Sequence, residues 1–140
     1  MANVINEINW LAVLLGGVIY MIVGGLWYGP IAGKAWLAEV GLTEEEIKAA
    51  GSPAPTMIKS FIAALFLSFG LAFLFIAAGM AEAGPVHGAI TGAFLAIFVT
   101  GAASFPNYAF ESKTMRHFLI HLGNTTISMT LIGAMIAAWR

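Results

Sequence analysis

Four stretches of this chain are apolar and nearly free of charge, each close to the about 20 residues that a helix needs to cross a hydrocarbon core. They run from Ile8 to Tyr28, Met57 to Gly79, Val86 to Phe105 and Thr114 to Trp139. Polar residues gather between them, in 29–56, 80–85 and 106–113. The expected fold is all-α: a four-transmembrane-helix bundle, with residues 1–140 forming a single integral membrane domain. The first stretch is read as a retained helix and not a signal peptide. It is preceded by Glu7 instead of a basic segment, and it ends in Trp27-Tyr28-Gly29-Pro30 instead of a small-residue cleavage site.

The fourth stretch organises the others. At about 100° per residue, His117, His121, Asn124 and Ser128 fall on one face, while Gly123, Thr126, Thr130, Gly133 and Ala137 fall on the opposite one. A helix with one polar and one small-residue stripe must be packed on both sides. Apolar surface gains nothing by leaving lipid, so membrane helices associate where small residues let backbones approach. The third stretch carries Gly88, Gly92, Ala96, Thr100 and Ser104 at every fourth position, and the second carries Ser60, Ala64, Ser68 and Ala72. Joined by a brief turn, these two are expected to form a tight antiparallel hairpin. The first stretch offers Gly17 and Gly24, seven residues apart on one face.

The first loop reads as structured. Thr43 with Glu46 three residues on is a capping box, and Gly51 before Pro53 and Pro55 is a stop signal, so a short helix is expected from Glu44 to Ala50. Before it, Gly33 to Val40 sets Trp36 and Leu37 beside Lys34 and Glu39, which suits a helix lying at the headgroups. Trp10 and Trp139 are assigned as anchors at one membrane border, and Trp27, Tyr28, Trp36 and Tyr108 at the other; a stacking or quinone-binding role for Trp27 and Tyr28 is the lesser alternative.

Composition then narrows the class. Of 140 residues 60% are hydrophobic and only 9% charged, against roughly 25% charged in a soluble domain. The lipid bilayer is therefore the partner read most directly. The net charge of −1, without a basic run, argues against nucleic acid. With no cysteine, disulfides, thiolate metal sites and a cysteine nucleophile are excluded. Lys34, Lys48, Lys59, Lys113 and Arg116 lie on the side of the two longer loops, and only Arg140 lies on the other. By the positive-inside bias, loops 29–56 and 106–113 are expected to be cytoplasmic and both termini periplasmic, in the cell inner membrane.

The polar stripe His117, His121, Asn124 and Ser128 is the one constellation with chemical potential, because polar groups at membrane depth are costly unless partnered. His117 and His121 offer two ligands to a transition metal or haem iron, too few for a tight site, and His87 lies across the bilayer from them. No metal or cofactor is expected. Instead His117 is placed at the interface, with His121, Asn124 and Ser128 satisfying one another, backbone carbonyls or nearby hydroxyls. A proton-coupled carrier ordinarily needs an acidic group inside the membrane, and here every Glu lies at or beyond a helix end. A small channel or carrier lined by the stripe stays as the alternative, and a haem- or metal-binding membrane protein as the second. No phosphate loop, His-Glu metal motif or serine elbow is present, so no catalytic residue is assigned and no enzyme is expected. Pro106 reads as a helix terminator.

Asn9-Trp10-Leu11-Ala12-Val13, Gly25-Leu26-Trp27-Tyr28-Gly29-Pro30, Gly33-Lys34-Ala35-Trp36, Gly41-Leu42-Thr43-Glu44-Glu45 and the closing Gly133-Ala134-Met135-Ile136-Ala137-Ala138-Trp139 resemble the family called domain of unknown function 1761. The resemblance implies a small, mainly bacterial, four-helix membrane protein and brings no activity or catalytic residues with it. The expected role is structural or accessory, as a homo-oligomer or as a subunit of a larger membrane complex.

Overall fold

The computed structural model describes residues 2–80 and 82–139. Asn9 decides where the first span begins. Its side-chain oxygen accepts from the backbone N–H groups of Leu11 and Ala12, both at 3.1 Å, which is what an N-cap does. The run expected from Ile8 therefore begins at Trp10, as the spanning helix α2 (Trp10–Leu26), and a short helix α1 (Ala2–Glu7) precedes it. The span continues through a wider π-helical turn, Trp27–Ile31. There Gly29 leaves helical dihedrals, and the Ala32 N–H reaches back to the Trp27 carbonyl at 2.7 Å. The span ends at Ile31, beyond the expected Tyr28.

Two short helices follow, α3 (Gly33–Val40) and α4 (Glu44–Ala49). The Thr43 hydroxyl accepts from the Glu46 N–H at 3.2 Å, and the Glu46 carboxylate accepts from the Thr43 N–H at 2.8 Å, completing the capping box. Donation to the carboxylate from the Thr43 N–H, and from the Thr43 hydroxyl at 3.0 Å, holds the Glu46 carboxyl below its ordinary pKa. Helix α5 (Ala54–Ala77) forms the second span and stops at Gly79, whose φ of 65° lets the Met80 N–H fold back onto the Phe75 carbonyl at 2.8 Å.

The third span departs from its expected end. It runs through α6 (Gly84–Phe94), a π-helical stretch at Leu95–Gly101 and α7 (Ala102–Phe110), and Pro106 lies inside it. Proline removes one N–H donor, and a membrane helix tolerates that where the freed backbone group is served locally. The actual stop is Ser112, in the left-handed region at φ 54°. From there the Ser112 N–H donates to the Ala109 carbonyl at 3.2 Å and the Lys113 N–H to the Tyr108 carbonyl at 2.9 Å. This is the double bond pattern of a Schellman ending. Helix α8 (Met115–Ala138), capped by Thr114 accepting from the His117 N–H at 3.0 Å, is the fourth span.

All four spans are long and apolar enough to cross a membrane, and no strand occurs among the described residues. The chain is an all-α, multi-pass membrane protein. Helix α8 sits between the others, touching α2, α5 and α6. The expected hairpin of second and third spans is not formed: α5 packs on α2, and α6 packs on α8. Glycine placement gives the reason. A methyl on Gly88 would strike the Gly133 carbonyl oxygen, and one on Gly92 the Met129 carbonyl oxygen, so the stripe of the third span is occupied by α8. The stripe of the second span turns to α2, where Gly16 leaves room for Ser68 and Gly17 for Leu65 and Phe61. Phe75, Ile132, Ser68 and Ser128 are the largest side chains fully enclosed by this arrangement.

Candidate functional site

The polar stripe of α8 faces the inside of the bundle. His117, Asn124 and Ser128 are buried and His121 is half-buried. The structure brings the two histidines together, with their Nε2 atoms 3.0 Å apart and their rings stacked. It joins them to a residue of the first span: the Tyr28 hydroxyl is hydrogen-bonded to His121 Nδ1. The π-helical turn at the end of α2 places this phenol, with Trp27 one residue earlier donating its indole N–H to the Ile120 carbonyl at 2.8 Å. Trp27 also lies flat against Gly123, where any side chain would meet its ring. Two residues assigned to the membrane border are thus inter-helix contacts of the bundle.

Beside Tyr28 and His121 lies a chamber of about 250 Å³ between the first, third and fourth spans. Tyr20, Tyr28, Tyr108, His121, Thr100 and Thr125 line it, so all three tyrosines of the chain meet there. Tyr108 stands edge-on to His117 at 5.6 Å and tilted to His121 at 6.0 Å. No lining residue carries a formal charge. Sequence reasoning placed Tyr28 and Tyr108 at the border and gave Tyr20 no role. The available signal was that a chain with only three tyrosines has all of them within, or at the ends of, apolar spans.

Asn124 and Ser128 do not join the histidines. Among the described residues, Asn124 Oδ1, Ser128 Oγ and Ser68 Oγ are buried without a hydrogen-bond partner, which overturns the expectation that they satisfy one another or nearby groups. Asn124 faces Gly24 across the α2–α8 contact, and Ser68 faces Gly16. Of the packing residues, Ala64, Ala72, Gly88, Gly92, Ala96 and Gly133 are buried, and Ser60 is half-buried. Gly16, absent from the expected set, has the tightest approach in the first span.

At the loop end, Glu39 of α3 accepts a hydrogen bond from the Thr114 hydroxyl and lies 3.8 Å from Arg116, tying the first loop to the start of α8. Trp36 stands edge-on to Tyr28 at 5.7 Å. Lys113, over the Tyr108 ring at 5.3 Å, pairs with Glu111, which raises the lysine pKa. At the opposite end Trp10 stacks on Phe69, and Trp139 borders a second cavity of about 280 Å³ with Glu7 and Asn9. His87 is exposed. The described residues contain no group of three or more His, Cys, Asp or Glu that could hold a metal ion.

A family model described as "Protein of unknown function (DUF1761)" matches residues 11–137. No curated protein and no solved structure matches the chain.

Proposed function

This chain belongs to the DUF1761 family, and from that premise we propose that it acts as a non-catalytic accessory component of the membrane, associating with copies of itself or with a larger membrane assembly. The observation that carries this reading is the direction of its side chains. Polar groups are held inside a single bundle, while Phe66, Ile90, Phe98 and Leu131 point outward over several spans. Such a surface is matched to lipid and to other apolar helices. The two basic loops, 29–56 and 106–113, face the cytoplasm and the termini the periplasm of an inner membrane, following the distribution of Lys and Arg. Cross-linking in native membranes, followed by sizing in mild detergent, tests it. The expected result is a discrete adduct, and a lone monomer that cross-links to nothing contradicts the reading.

A second reading, a carrier of small solutes, is favoured by the unpartnered oxygens of Asn124 and Ser128 on the histidine stripe and of Ser68 on the second span. An oligomeric pore is not favoured, since the stripe is enclosed within one chain. Flux in liposomes with His121 and Asn124 both replaced by Leu decides this reading. Loss of a flux present in the unaltered protein supports it, and unchanged or absent flux removes it.

A further inference from the structure

We infer that the chamber between the first, third and fourth spans is a binding site for a lipid-borne ring carrying oxo or hydroxyl substituents, of the quinone and quinol class. The inference goes beyond the accessory reading and does not depend on it.

Its size comes first. About 250 Å³ lies just below the roughly 300–1,000 Å³ of pockets for drug-sized ligands, a scale that suits a single substituted ring. The walls are aromatic: Tyr28 lies 5.4 Å from the His121 ring and Tyr108 6.0 Å, spacings at which offset and edge-on ring packing is favourable. The polar groups of the lining are phenols, threonine and serine hydroxyls and imidazole, without an ammonium, guanidinium or carboxylate; the Lys113 ammonium, over the Tyr108 ring at 5.3 Å, is paired with Glu111 and is not part of the wall. Such a lining recognises a neutral ligand, because a charged one would be desolvated here without a counter-ion.

The hydrogen-bond chain makes the class more specific. Tyr28, His121 and His117 are linked phenol to Nδ1 and Nε2 to Nε2, and with both imidazoles neutral this chain has two proton arrangements. In one, the Tyr28 O–H donates to His121 Nδ1 and the His121 Nε2–H donates to His117 Nε2, which leaves the phenol oxygen free to accept. In the other, the His117 Nε2–H donates to His121 Nε2 and the His121 Nδ1–H donates to the Tyr28 oxygen, which frees the phenol O–H to donate. The same site therefore meets a carbonyl oxygen with a donor and a ring hydroxyl with an acceptor. The oxidised and reduced forms of a quinone differ in just this respect.

Access sets the source. Thr100, on the chamber wall, is exposed on the third span, ten residues before Phe110 and hence about 15 Å from the end of that helix at about 1.5 Å per residue. An opening at that depth leads into hydrocarbon, so the ring arrives from the lipid.

The test is equilibrium binding to the full chain in lipid nanodiscs. The probes are a dimethoxy-methyl-benzoquinone with a ten-carbon tail, its quinol, and the same quinone without a tail. Both tailed forms are expected to bind saturably with affinities within about tenfold of each other, and the tailless ring at least tenfold more weakly. Tyr28→Phe is expected to weaken both forms about tenfold. Thr100→Phe, taken into the binding assay once its thermal unfolding in detergent matches that of the unaltered protein, is expected to block the mouth and abolish binding. Absence of saturable binding to the folded protein overturns the inference, as does affinity indifferent to both substitutions. Equal or tighter binding of the tailless ring overturns the lipid-borne source.

Discussion

At the scale of single residues, the close approaches and the unpartnered oxygens are the points where one atom decides the outcome. Gly92 lies against the Met129 carbonyl and Gly70 has open space around it. Gly92→Ala is therefore expected to cost about 1–3 kcal/mol, the usual range for overpacking, while Gly70→Ala is expected to be neutral or slightly stabilising, as read from unfolding in detergent. Equal effects at the two sites would contradict the α6–α8 contact. The Ser68 hydroxyl has no partner and is fully buried. Ser68→Ala is expected to leave stability unchanged or to raise it by about 1 kcal/mol, since an unsatisfied buried hydroxyl costs about 1–3 kcal/mol. A clear loss of stability would mean that the oxygen is hydrogen-bonded in the membrane. The sequence announced Asn124 and Ser128 as polar groups at depth, but periodicity along one helix carries no information about which helix faces it. For that reason the link of His121 to Tyr28, 93 residues apart, was not legible.

At the scale of elements, the capping box at Thr43 was legible as a start signal, while the caps at Asn9 and Thr114 were present in the sequence and not read as such. Asn9, Thr43 and Thr114 cap the helices that follow them, because an N-cap is a property of one side chain and its next three residues. The end of the third span was misplaced because its stop, Ser112 at positive φ, is a residue type that rarely signals that conformation, whereas Pro106 signals a break it does not make. Pro106→Ala, which returns a donor to the Ala102 carbonyl, is expected to leave the helix length unchanged and stability equal or higher by about 1 kcal/mol; shortening of the helix by amide exchange would contradict a continuous span. The capping box of α4 titrates. Glu46 has a folded pKa below its unfolded one, so its contribution is present above the unfolded value and is lost as pH falls through the folded value. The Thr43 and Glu46 amide signals are expected to lose their capped shifts at a lower pH than an uncapped glutamate titrates, and Thr43→Ala to move the Glu46 transition upward.

At the scale of the whole molecule, the number of spans and the membrane class followed from composition and run length, since the bilayer imposes both. The neighbour relations did not. Small-residue stripes occur on every span and are interchangeable in sequence, so chain proximity suggested a pairing of second and third spans that backbone contact between α6 and α8 replaces. The central claim is that α8 lies amid the other spans with its polar stripe turned inward and a narrow arc toward lipid. The chain has no cysteine, so single cysteines for spin labels can be introduced along α8 without background. Oxygen accessibility of those labels in a bilayer tests the claim most directly. High values at Leu119, Ile127 and Leu131, with minima at Asn124, Ser128 and Ile132, are predicted; a flat profile, or maxima on the Asn124 and Ser128 side, would contradict it.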